Sequence, residues 1–241
     1  MWLLNSSIGR KVIMSISGLF LVFFLLFHSA MNLVAVFSAS GYNAVCEFLG
    51  TNPIVQFMVP VLALGFVVHI VYAIWLTIRN RKARGADRYA VTGRSDVSWS
   101  SKNMLVLGIV VLGFLAWHLD HFWSKMQLQE WTGNVASEGF ALVKLTFARW
   151  WVVLLYIVWI AALWLHLSHG FWSAFQSIGI NNTVWYKRWK VIGICFATLV
   201  CLMFIFVAVA FLLHNMGMWP SVGNMWHLGA HAAEAATVPA I

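Results

Sequence analysis

Nine histidines stand in a chain of 241 residues in which only 9% of positions are charged. His28, His69, His118, His121, His166, His169 and His214 all lie within uncharged apolar runs or at their ends. An ionisable side chain inside a bilayer is costly and marks a functional site by default. A single such histidine can be a neutral ring hydrogen-bonded to a neighbouring helix, but histidines in four separate apolar runs ask for more. Neutral imidazole is a ligand for Zn, Cu, Fe and Ni. A bare Zn²⁺ on two neutral ligands would be undercoordinated and would leave charge in hydrocarbon. A haem brings four nitrogens of its own and needs only two axial ligands. Two axial histidines leave no open iron position, which suits electron transfer rather than oxygen chemistry.

The elements that must position these rings follow from composition. The chain is 62% hydrophobic, and its charged fraction is far below the roughly 25% of a soluble domain. That excludes a soluble globular protein and a disordered one. Uncharged runs cover residues 12–37, 53–78, 103–119 (continuing past Asp120 to Trp123), 150–186 and 191–214. A spanning helix needs about 20 apolar residues, so the expected fold is an all-α membrane protein of five transmembrane helices with a haem-binding four-helix core. The fourth run is too long for one span, and Gly179-Ile180-Asn181-Asn182 predicts the turn that ends it. The first run is longer than a signal-peptide core and reads as the first span. No internal repeat is evident. The domain expectation is a membrane domain over residues 1–218 and a mobile, Ala-rich tail over 219–241.

Lys and Arg set the orientation. Arg10 and Lys11 precede the first span. Arg79, Arg81, Lys82, Arg84, Arg88, Arg94 and Lys102 follow the second, and Lys187, Arg188 and Lys190 follow the fourth. Thus 12 of the 15 basic residues lie on one side, with Lys125, Lys144 and Arg149 on the other. The N-terminus is expected in the cytoplasm. The formal charge of +8 is therefore assigned to orienting loops, not to nucleic acid. Trp2, Trp99, Trp123, Trp150, Trp151, Trp185 and Trp189 flank the runs as an aromatic belt. Cys46, Cys195 and Cys201 form no CxxC pair and no disulfide framework.

Depth then groups the histidines. At 1.5 Å rise per residue, His28 lies about 27 Å beyond Arg10 and His118 about 24 Å beyond Lys102, whereas His69 precedes Arg79 by about 15 Å and His166 precedes Ile178 by about 18 Å. His28 and His118 share the outer level, and His69 and His166 the level nearer the cytoplasm. Two levels predict two sites, each with a histidine from either of two helices. His121 and His169 each lie three residues after a neighbour and share its helix face, so either member of each doublet could be the ligand. His214, His227 and His231 read as solvent-side. Ser15, Ser17 and Lys102, at the cytoplasmic ends of the first and third spans, could meet haem propionates. Ser15 could equally serve helix packing, and Lys102 could be a snorkelling anchor.

These segments resemble the di-haem cytochrome b (b558-type) membrane anchor subunit of succinate dehydrogenase and fumarate reductase, the succinate:quinone oxidoreductases. The likeness covers about residues 8–214 and rests on FLLFHSAMN around His28, VVHIVYAIW around His69, FLAWHLDHFW around His118 and LWLHLSHGFWSAFQSIGI around His166. The last is the most specific, because family members carry a similar His-Φ-Ser-x-Gly string. The resemblance implies two haem b groups with axial ligands His28, His69, His118 and His166, pairing the first span with the third and the second with the fourth. It prefers His118 over His121 and His166 over His169, and it places a propionate-binding serine on Ser15.

The function implied is electron transfer between an iron–sulfur subunit and menaquinone. The chain would anchor that subunit and a flavoprotein subunit to the cytoplasmic face of a bacterial inner membrane. A dimer of the heterotrimer is a family expectation. The quinone would lie near the outer haem, where a carboxylate could act as acid–base. Glu47, in the loop between the first two spans, is the first candidate, although it could be an ordinary solvated residue. Asp120 and His121 are the second. Neither succinate nor fumarate should bind this chain. One position departs from the pattern: some fumarate-reducing relatives place a glutamate of a proposed proton route two residues before the fourth-span ligand, where this chain has Trp164. An indole cannot relay a proton as a carboxylate does, which sets that route in question without touching haem binding. The competing readings are a di-haem cytochrome b subunit of a hydrogenase or formate dehydrogenase, a haem-free transporter, and a passive anchor whose histidines merely pack.

Overall fold

A computed structural model describes residues 6–84, 99–180 and 182–225. Trp2, Arg88, Arg94, Asn181, His227, His231 and the tail from residue 226 lie outside the described residues. The described chain is helical, with no β-strand.

The elements are α1 (Ser7–Phe37), α2 (Ala39–Thr51), α3 (Pro53–Arg84), α4 (Trp99–Lys102), α5 (Met104–His121), a 3₁₀ turn (Trp123–Lys125), α6 (Gln127–Trp131), α7 (Gly139–Thr146), α8 (Trp150–Ile178) and α9 (Thr183–Asn215). Five of these helices, α1, α3, α5, α8 and α9, are long and apolar enough to cross a membrane, so the chain is a multi-pass membrane protein. Each matches one of the five uncharged runs. Their apolar side chains stay exposed as a lipid-facing surface requires: on α3, Phe57, Leu64, Val67, Val71, Ile74 and Ile78 all point outward.

Sequence chemistry accounts for the boundaries. The α8–α9 turn falls where it was expected. Gly179 takes φ +90°, a left-handed conformation that only glycine adopts without cost. Its N–H reaches Gln176 O at 3.2 Å, and Ile180 N–H reaches Phe175 O at 3.1 Å, which satisfies the last carbonyls of α8. Asn182 then accepts from Val184 N at 3.1 Å and Trp185 N at 2.9 Å, capping α9. Ser38 ends α1 and caps α2, accepting from Gly41 N at 3.0 Å. α3 runs through Pro60 without a break. Within a bilayer neighbouring groups can re-satisfy the bond that a proline removes.

The chain divides into two compact units. Unit 1 comprises Met1–Leu25, Phe57–Gly113 and Ala161–Leu199; unit 2 comprises Leu26–Gln56, Phe114–Ile160 and Val200–Ile241. In unit 1, Gly65 lets Phe20 approach so closely that a β-carbon there would sit 2.7 Å from its ring. Unit 2 holds a buried cluster in which Val36, Val143 and Phe211 are nearly inaccessible. The first residues of the expected mobile tail join this cluster. Val222 is buried, Ala39 N–H donates to Gly223 O at 2.7 Å, and Gly223 N–H donates to Val36 O at 2.8 Å. Residues 219–225 thus belong to the packed domain. Their anchor is a backbone pairing at Ser38 and Asn224 that leaves no composition signal.

Candidate functional site

The apolar helices bring four histidines together in two pairs. In unit 2, His28 of α1 faces His118 of α5, with ring centroids 5.9 Å apart and planes at 88°. In unit 1, His69 of α3 faces His166 of α8, at 6.2 Å and 70°. These are the partnerships that helical depth predicted. The surplus histidines go elsewhere. His121 Nδ1 lies 3.1 Å from Tyr156 Oη, and its ring stacks on Tyr156 and packs tilted against Trp117. His169 packs against Trp172 with centroids 4.9 Å apart.

Two tests ask whether a metal-bearing macrocycle fits these pairs. A metal–imidazole bond of about 2.0–2.1 Å on each side, with each ring centroid roughly an ångström further out, places two axial centroids about 6.2 Å apart. Both observed spacings match. The second test is hydrogen-bond satisfaction: His118 Nδ1 and His166 Nδ1 are buried without a hydrogen-bond partner. Buried polar atoms are normally bonded, and an exception asks for a cause such as a bound ion or group. Among the described residues, no group of three or more His, Cys, Asp or Glu side chains is disposed to hold a metal ion. Two imidazoles alone suit a group that carries its own equatorial donors, and the residues present fit a haem.

The walls of the pairs are specific. Phe204, Phe122, Trp159 and Tyr156 pack on the His28/His118 rings at centroid distances of 5.1–6.2 Å. Around His69 the chain is small: a β-carbon on Gly18 would lie 3.3 Å from His69 Cε1. Gly108 stands in the same relation to His166, at 3.9 Å. Ser17 Oγ sits 3.5 Å from His69 Nδ1 while donating to Met14 O at 3.0 Å. Of the two serines on this turn, Ser17 is the one against the ring; Ser15 is also buried. Lys102 is exposed at the end of α4.

The candidate quinone residues separate. Exposed Glu47, on α2, lines a cavity of about 200 Å³ with Cys46, Thr51, Met126, Glu130, Ser137 and Glu138. Asp120 is exposed on the last turn of α5, where its carbonyl accepts from Ser124 Oγ, and His121 is committed to Tyr156. Burial pushes the Cys46 thiol above its ordinary value; Tyr42 beside it opposes the rise and Glu130 adds to it. Burial, with Cys46 beside it, raises the Tyr42 phenol as well. Trp164, at the departing position, donates Nε1–H to Thr198 Oγ1 at 2.9 Å and so ties α8 to α9.

Charge is divided between the units. Among described residues, Arg10, Lys11, Arg79, Arg81, Lys82, Lys102, Lys187, Arg188 and Lys190 fall in unit 1, which there carries no carboxylate. Arg10 and Arg79 both lie over Trp75, at 4.5 and 5.5 Å. Glu47, Asp120, Glu130 and Glu138 all belong to unit 2.

Sequence reasoning passed over Asn32, Tyr42, Tyr156, Gly18 and Gly108. Asn32 was findable, since it lies one helical turn after His28 in an uncharged run. The glycines carried a fainter signal, as small residues inside spans where something must approach the backbone. Compared with protein-family models, curated proteins and solved structures, the chain matches none.

Proposed function

We propose that this chain is the di-haem cytochrome b membrane subunit of a succinate:quinone oxidoreductase, carrying electrons between an iron–sulfur subunit and menaquinone. The observation that carries the reading is the double pairing of His28 with His118 and His69 with His166 at axial-ligand spacing. Bound haem b would supply one-electron redox chemistry at each pair. The chain's own residues do the rest. His28, His118, His69 and His166 would hold the group through their imidazoles, Gly18 leaves room for the His69 ring, and aromatic rings pack around the unit 2 pair.

The basic residues of unit 1 support a cytoplasmic side for it by the positive-inside rule. They offer a surface for the iron–sulfur and flavoprotein subunits, with the bacterial cytoplasmic membrane as location. The cavity beside Glu47 is the proposed quinone pocket, and Glu47 can hold or release a proton there. Trp164 donates one hydrogen bond to Thr198 and its indole, a donor only, cannot release and regain a proton as a carboxylate does, so we assign proton exchange with quinone to the outer side.

The experiment is purification of the intact complex through a tag on this chain. A flavin-bearing subunit and an iron–sulfur subunit that interconvert succinate and fumarate should come with it, and succinate should reduce its haem. A hydrogenase or formate dehydrogenase as the partner would overturn this assignment in favour of another di-haem cytochrome b.

A further inference from the structure

The hydrogen bonds around His28 lead away from the ring in a definite order. Asn32, one turn further along α1, donates Nδ2–H to His28 O at 2.8 Å. The same amide nitrogen lies 3.5 Å from His28 Nδ1 and 3.4 Å from Nε2, against the imidazole rather than at one atom. Asn32 Oδ1 in turn accepts from Tyr42 Oη at 3.2 Å. Tyr42 is buried on α2, the helix that carries Cys46 and Glu47 into the wall of the 200 Å³ cavity.

These contacts fix the amide. An asparagine side chain can rotate by half a turn and exchange its oxygen and nitrogen. Here the reversed amide would set its oxygen against the His28 carbonyl, two acceptors with no proton between them. The orientation that satisfies the His28 carbonyl presents the positive end of the amide to the His28 ring.

Resting on the cytochrome reading above, we infer that Asn32 and Tyr42 are a positioning pair for the unit 2 site. They hold the His28 imidazole at its steep angle to His118 and set the local field felt by whatever the two rings ligate. The same pair connects the cavity wall to that site, since displacement of α2 by an occupant moves the hydroxyl that orients Asn32. Neither residue touches a reacting atom. The amide dipole disfavours positive charge at the adjacent site and so favours the reduced form.

The test uses the full-length chain in its complex with Tyr42→Phe and Asn32→Leu, of which the first removes a single oxygen and keeps the packed ring. The readouts are the two haem midpoint potentials and the low-field EPR lines of the oxidised protein, which report the angle between axial imidazole planes. The expected result is two bound haems, with one potential lowered and the other unmoved. The reduction equilibrium should shift by up to about tenfold, or about 59 mV for a one-electron couple, and the low-field line of the same haem should move. Unchanged potentials and spectra in both variants would overturn the inference while leaving the cytochrome reading intact. Equal disturbance of both haems would overturn it too, because that marks a general structural role. A folded wild-type chain without haem would instead overturn the cytochrome reading itself.

Discussion

Replacing Gly18 by valine probes the unit 1 pair through its most confined neighbour. A β-carbon on Gly18 would stand 3.3 Å from His69 Cε1 and 3.6 Å from Nδ1. Alanine therefore asks the ring to give only a few tenths of an ångström, and the gain in helix propensity of about 1 kcal/mol offsets that. Valine adds two γ-carbons about 1.5 Å further out, and its side chain is stiff at χ1 in a helix, so they cannot both turn away. The imidazole must move by on the order of 1 Å, well beyond the roughly 0.2 Å tolerance of a metal–ligand distance. Gly18→Val should then hold one haem per chain, the one at His28/His118, while Gly18→Ala holds two. Gly113→Val is the matched control, because a β-carbon there meets nothing within 4 Å. The assay is a dithionite-reduced minus oxidised spectrum with haem quantitation, beside circular dichroism for helix content. Two haems with an unshifted spectrum in Gly18→Val would refute the placement of His69 as a ligand.

The doublets give a paired prediction: His118→Ala and His166→Ala should each lower the count to one haem, whereas His121→Ala and His169→Ala should keep two. The reverse pattern, read from the same stoichiometry, would move the ligands by one helical turn. Tyr156→Phe removes the 3.1 Å contact with His121 and should cost about 1 kcal/mol, seen as a lower thermal midpoint with both haems retained. Loss of a haem there would mean that His121 supports the pair directly. Cys46 should react with a water-soluble maleimide more slowly than a free thiol at pH 8. Its raised pKa leaves less thiolate at that pH, and the rate should climb as pH passes above the ordinary thiol range. Glu130→Gln should speed the reaction at fixed pH, and a rate equal to that of a free thiol would contradict the burial of Cys46.

The spans were legible because a bilayer writes a plain code: apolar runs of sufficient length and basic residues between them. The pairing was legible for a related reason. Helical rise converts sequence distance into depth, so His28 and His118 could be matched without any contact in view. The turn at Gly179 announced itself through Gly and Asn. What escaped was whatever depends on rotation about a helix axis or on docking of short segments. His118 and His121 share one face, and only packing sends the first to His28 and the second to Tyr156. The fold-back of residues 219–225 rests on backbone bonds to Val36 and Ala39, which any side chains could accompany. Glu47, Asp120 and His121 were grouped by nearness to one membrane edge, yet a short helix carries Glu47 into a cavity wall with Glu130 and Glu138. That wall is assembled from two stretches far apart in the chain, residues 43–51 and 126–139.

The most direct measurement is the number of haems per chain in the purified, folded protein, taken from its reduced-minus-oxidised spectrum after expression with haem supplied. The account predicts two b-type haems, both six-coordinate, one lost with each histidine pair. A folded, helical chain that binds none would contradict it and return the four histidines to a packing or transport role.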